Sequence, residues 1–226
     1  MKQLLFKLTL ATAMIVIDGN ASAQWAIGLQ GGWNSTTISR YNGGRMDETY
    51  SALGGFNMAL QGHYTVTPWL AIRADLGFMQ RSHRMDRNLN YIDPVYTEHV
   101  NAYLMLPLMT DFSFGGERLR GHLLTGAYIC YWLSERRNGT TFWMTDYYVY
   151  FEPFDETRKF TTEDQRLNAG TTLGIGLSYA LNTKWELGVD AQYYYDLTSH
   201  HKGAVHLSDP RYLNTLSVSI NVNYKL

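Results

Sequence analysis

The sequence predicts an all-β chain, an eight-stranded antiparallel up-and-down transmembrane β-barrel. Three observations carry that prediction. First, over residues 211–226 Leu216, Val218, Ile220, Val222, Tyr224 and Leu226 alternate strictly with Thr215, Ser217, Ser219, Asn221, Asn223 and Lys225. A period of two gives a strand with one apolar and one polar face. A long strand of this kind at the end of a chain suits closure against the first strand. Second, seven earlier stretches repeat the alternation. Third, the connections between them are alternately short and long, as periplasmic turns and extracellular loops are.

Taken in order, the first strand is about 25–33, with Trp25, Ile27, Leu29 and Trp33 on one face. The second, about 53–66, sets Phe56, Met58, Leu60, Tyr64 and Val66 against Asn57, Gln61 and His63. Pro68 cannot donate to a ladder and marks a tight turn. The third, about 69–81, sets Leu70, Ile72, Leu76 and Phe78 against Arg73, Asp75, Met79 and Arg81. The fourth, about 98–114, contains Pro107, which predicts a bulge or kink there. Gly115-Gly116 makes the next turn, and the fifth strand is about 118–134. The sixth, about 165–181, and the seventh, 184–198, flank a turn at Asn182-Thr183. Long connections fall at about 35–52, 83–97, 135–164 and 199–210. Eight strands bring both chain ends to the short-turn side.

Composition narrows the class. With 17 Tyr, 6 Trp and 20 Gly in 226 residues, the chain favours strands and turns. A net charge of −1 exerts no broad pull on nucleic acid, so no nucleic-acid partner is expected. Cys130, the single cysteine, excludes an internal disulfide framework and a cysteine-based zinc site. Residues 1–23 have the form of a secretory signal peptide. Lys2 and Lys7 precede an apolar run over 8–17, and Ala21-Ser22-Ala23 is a small-x-small cleavage site before Gln24. Residues 24–226 then form the barrel domain, placed in the bacterial outer membrane.

The apolar sets contain no charged residue, and the opposite sets are rich in Gly, Ser, Thr and Asn. Small polar residues fit the narrow lumen of eight strands, so the apolar face is predicted to meet lipid. Aromatics such as Trp25, Trp69, Phe112, Trp185 and Tyr224 lie toward strand ends, where interfacial girdles form. On the lumen side, Arg73, Asp75, Asp111, Arg120, His122, Arg166, Glu186 and Asp190 are predicted to form an internal polar network, since buried charges must be paired. Arg118, Asp196 and Lys225 share that face.

The matching stretches GGFNMALQGHYTVTPWLAIRADLGFM (54–79), NAYLMLPLMTDF (101–112), GHLLTGAYICYWL (121–133) and GIGLSYALNTKWELGVDAQYYYDLT (174–198) resemble the PorT-like family of outer-membrane β-barrel proteins. The Tyr-Leu-x-Leu-Pro-Leu core at Tyr103 to Leu108 is their most specific piece. The resemblance implies a small outer-membrane barrel, and the family's namesake is associated with a protein secretion and gliding machinery. One departure is the last residue, Leu226, where many outer-membrane barrels end in an aromatic that the assembly machinery reads.

The expected role is structural, interaction or secretion-associated, exercised through the long loops. The loop 135–164 carries Phe142, Trp143, Tyr147, Tyr148 and Tyr150, an aromatic cluster suited to a protein partner. Residues 141–151 are able to form a hairpin above the membrane. The remaining expected partners are outer-membrane lipid and the barrel assembly machinery. The alternatives are an enzyme acting on lipid or peptide at the rim, and a narrow pore. His83, His99, Ser199, His200, His201, His206, Ser208 and Asp209 are the residues such chemistry would draw on. They form no enzymatic motif, so the expectation is a non-enzyme without cofactor or metal.

Overall fold

The structure is a computed structural model that describes residues 24–40, 48–87, 95–145, 148–200 and 211–226. The expected signal peptide and most of the loop 199–210 lie outside the described residues. Nine strands are seen among the described residues: β1 (Gln24–Arg40), β2 (Glu48–Thr67), β3 (Leu70–Arg87), β4 (Val95–Gly115), β5 (Leu119–Met144), β6 (Val149–Thr157), β7 (Leu167–Ala180), β8 (Trp185–Asp196) and β9 (Arg211–Lys225). Eight of them close a ring. β1 to β5 pair in sequence, β5 pairs β7, and β7, β8 and β9 return to β1. All pairs are antiparallel. The predicted final strand therefore pairs with the first, from Ala26 opposite Lys225 to Arg40 opposite Arg211.

The ring settles which face is outside. On β9, Ile220 is 64% exposed and Ser219 2%. Leu29, Leu60, Ile175 and Leu187 are likewise exposed, while Gln30, Gln61 and Asp190 are buried. In water such an apolar belt would be strongly disfavoured; in a bilayer it faces acyl chains and carries no such cost. Rings gather at the turn end, where Trp25 meets Tyr64 at 4.8 Å, Trp69 meets Phe112 at 6.2 Å, and Trp185 meets Tyr224 at 5.0 Å. They mark the periplasmic girdle. Among the described residues no helix is long and apolar enough to cross a membrane.

The short connections follow the predicted chemistry. Pro68-Trp69 joins β2 to β3. Gly115 holds a φ of 124°, open to Gly but strained for other residues, and Gly116 N–H closes the turn on Leu119 at 3.0 Å. Asn182 Oδ1 accepts from the backbone of Lys184 and Trp185, both at 2.8 Å.

Three features differ from the sequence reading. The strands run past the predicted ends, β3 to Arg87 and β5 to Met144. Outward charges there, such as Arg84 paired with Asp86 at 2.9 Å, mark the end of the lipid rather than of the ladder. A ninth strand, β6, pairs with the upper part of β5 outside the ring, from Arg136 opposite Thr157 to Met144 opposite Val149. Pro107 causes no bulge. The β3–β4 ladder omits a partner for Leu106 and Pro107 and resumes in the same register. The bulge in β4–β5 lies instead at Ala102/Tyr103, where Tyr103 faces Trp132 and Ala102 faces Ser134.

Candidate functional site

The lumen is filled, layer upon layer. Near the turns, Asp111 Oδ1 lies 2.9 Å from His122 Nδ1, and His122 Nε2 lies 2.7 Å from Ser178 Oγ. Glu186 pairs with Lys225 at 2.9 Å. In the middle, Arg73 binds Asp75 at 3.0 Å and Asp190 at 2.7 Å and donates to Gln30 Oε1 at 2.7 Å. Asn221 also donates to Asp190, at 2.9 Å. These residues sit on neighbouring strands at inward parity, so each guanidinium nitrogen finds an oxygen in place.

Above lies a second buried cation. Arg81 is fully buried and pairs with Asp196 at 2.9 Å, and its Nε donates to Thr215 Oγ1 at 2.9 Å. Its third nitrogen donates to the Leu213 carbonyl. Asp196 also accepts from Tyr128, from His200 Nε2 at 3.0 Å and from the Leu213 amide at 3.0 Å. Met79, Tyr103, Met105, Tyr128, Cys130, Trp132, Tyr194 and Leu213 pack around this pair as one apolar cluster. Tyr128 lies over Gly170, where a Cβ would come 2.5 Å from its ring. No side chain other than Gly leaves room for that ring.

The extracellular mouth is clasped by a carboxylate. Glu135 accepts from His99 Nδ1 at 2.8 Å, Arg137 Nε at 2.6 Å and Arg158 Nη1 at 2.9 Å. Arg158 also reaches Asp164 at 2.6 Å, and its amide donates to the Glu135 carbonyl at 2.9 Å. The segment between β6 and β7 is thereby drawn across the mouth, with Phe160 edge-on to Trp132 at 4.9 Å. Burial would push the Glu135 carboxyl up, but the hydrogen bonds from His99, Arg137 and Arg158 outweigh it and hold it well below the usual carboxylate range. The β4–β5 bulge makes this clasp. Leu124, Tyr128, Cys130 and Trp132 point inward at even positions, and beyond the bulge the inward set is odd, Glu135 first.

Above the clasp, β5 and β6 form a two-stranded hairpin. Trp143 stacks on Tyr150 at 4.3 Å, on the face continuous with Glu135 and Arg137. Phe142 opposes Phe151 on the other face. Trp143, Met144, Tyr148, Tyr150 and Phe151 are all exposed, Tyr148 to 67%. The base is pinned on the outside by Arg136 and Asp155, joined in a two-pronged ion pair.

The sequence family described as outer membrane protein beta-barrel domain matches residues 18–202. The chain belongs to this family. It is a protein of the bacterial outer membrane. Among solved structures, the outer membrane protein OprG from Pseudomonas aeruginosa aligns at a TM-score of 0.50 and 10% identity, over 90% of this chain and 97% of that one. The outer membrane protease OmpT from Escherichia coli aligns at a TM-score of 0.52 and 9% identity, over 92% and 98% respectively. At these identities the likeness is one of fold. No curated protein matches the sequence.

Within this outer-membrane barrel the predicted network residues divide into groups. Arg73, Asp75 and Asp190 meet in the middle layer, Asp111 meets His122 below, and Glu186 meets Lys225. Arg120 stays at the periplasmic rim, its Nε 3.4 Å from the Gly116 carbonyl. Arg166 does not join the lumen. β7 begins at Leu167, so strand parity no longer binds its neighbour. Its guanidinium instead donates to the Trp132 carbonyl at 3.0 Å and lies over the Tyr131 and Phe160 rings. Of the predicted contact loop, Phe142, Trp143, Tyr148 and Tyr150 lie on or beside the hairpin, and Tyr147 lies outside the described residues. Arg81, Glu135, Arg137 and Arg158 are the residues sequence reasoning did not single out. Odd parity along β3 already gave a signal for Arg81; nothing local signals the bulge that turns Glu135 inward.

Proposed function

We propose that this barrel is a plugged, non-enzymatic platform that holds the β5–β6 hairpin above the outer membrane for a protein partner. The exposed stack of Trp143 on Tyr150 carries the reading. Two large rings held rigid in water are a poor arrangement for a free loop and a good one for a contact hot spot, because little side-chain freedom remains to be lost on binding. The ion-paired lumen layers favour this over a pore. The Asp111–His122–Ser178 line has the order of an acid, a base and a hydroxyl nucleophile. Ser178 is buried near the periplasmic end of β7, however, and the amides around it serve the ladders to β5 and β8, so the backbone offers no paired N–H groups for an oxyanion. The stretch Tyr103 to Leu108 supports a PorT-like, secretion-associated setting for the partner. Outer-membrane lipid and the assembly machinery complete the proposed set of partners.

The test replaces Tyr150 with a photo-crosslinking residue in living cells. A discrete protein adduct, lost when Trp143 is replaced by serine, is the expected result. Deleting residues 142–154 is expected to leave the barrel's resistance to heat unchanged. Adducts to lipid alone, or unfolding of the barrel by the deletion, would contradict the proposal.

A further inference from the structure

Beneath the clasp is a small cavity of about 40 Å³, lined among others by Ile38, Asn101, Trp132, Glu135, Arg137 and Leu213. That volume takes roughly three water-sized atoms, since about 10–15 Å³ holds one. Its lining carries two buried polar atoms with no hydrogen-bond partner. Asn101, 3% exposed, gives its Nδ2 to the Arg81 carbonyl at 3.0 Å, which fixes the amide and leaves Oδ1 unpaired. Trp132, 5% exposed, leaves its indole Nε1–H unpaired. Unpaired buried groups of this kind are uncommon and costly, and they point to something that fills the space.

The charges say what fits. Arg137 commits only Nε to Glu135; among the described residues its two terminal nitrogens make no hydrogen bond. Glu135 is engaged by Arg158 and the His99 ring as well as by Arg137 Nε, so it leaves the terminal fork of Arg137 without a carboxylate partner. A planar carboxylate matches two parallel N–H groups better than any single-point anion. It also matches the size of the cavity, while Ile38 and Leu213 offer an apolar wall to the carbon it is attached to.

We propose that the mouth cavity binds the terminal carboxylate of a small organic acid, through the free fork of Arg137 and the indole N–H of Trp132. Asn101 Oδ1 then accepts from a donor on the ligand or from a bridging water. The site is separate from the hairpin surface and stands whether or not that surface has a partner.

The test is titration of the refolded, full-length mature barrel in detergent with sodium butyrate, following the Trp132 indole resonance. Trp132→Phe identifies that resonance, and sodium chloride and inorganic phosphate serve as comparison anions. Butyrate is expected to shift the resonance saturably and chloride to leave it unmoved. Arg137→Gln weakens binding by about tenfold or more, the loss of a charge-assisted pair, and Arg137→Lys falls between. Unchanged heat-modifiable mobility on gels shows that these variants fold. Four results would overturn the proposal: no saturable shift, an equal shift with chloride, an affinity untouched in Arg137→Gln, or binding of phosphate without butyrate.

Discussion

Replacing Arg81 with methionine is expected to destabilise the refolded barrel by about 3–5 kcal/mol, the range for breaking one side of a buried ion pair. The size follows from what remains. Asp196 would keep Tyr128, His200 and the Leu213 amide but lose its only guanidinium, deep in a lumen without exposed surface. Thr215 and the Leu213 carbonyl lose their donors as well. Urea unfolding in lipid vesicles reads the change. The double variant Arg81→Met/Asp196→Asn is expected to recover part of the loss, because the stranded charge is then gone. The exposed pair Arg136–Asp155 provides the contrast, and Asp155→Asn is expected to leave the unfolding curve in place. A wild-type curve for Arg81→Met would mean that Arg81 is not buried as described.

The second large effect is on the outer wall. Ile220 lies about midway between the girdle at Trp185 and Tyr224 and the rings of Tyr193 and Tyr195, and it is exposed. Ile220→Arg is expected to cost about 2–4 kcal/mol in a bilayer, as a mid-depth charge facing lipid does. Leu226→Arg, at the chain end beyond Tyr224, is expected to cost only about 0–1 kcal/mol. The dependence on depth is the informative part. A barrel folded in water would accept arginine at either exposed position, so equal, small effects at both would contradict the lipid-facing assignment.

Much of the fold was legible because parity is a strong signal wherever one face meets lipid. Leu216 to Leu226 outward and Ser217 to Asn223 inward could be read directly, and pairing with β1 followed. The same signal weakens where the lipid ends. Arg84, Asp86 and Glu98 remain in the ladder, but without lipid outside them nothing forbids a charge, and the sequence looks like loop. Within the lumen, Arg73, Asp75 and Asp190 were legible because all three lie well inside regular strands. Arg166 was not, because it stands one residue before its strand. Glu135 was hidden by a bulge that depends on a partner strand more than thirty residues away in sequence. The fit of Tyr128 onto Gly170 likewise exists only after β5 and β7 have paired.

The most direct test of the central claim is refolding of residues 24–226 into detergent or lipid, followed by circular dichroism and gel mobility with and without boiling. A β-rich product that migrates differently before and after boiling is the expected result, as a closed barrel resists denaturation until heated. A chain that folds equally well in plain buffer, with no mobility shift on boiling, would contradict the account. It would require the apolar belt to face inward and the ion-paired layers to face water.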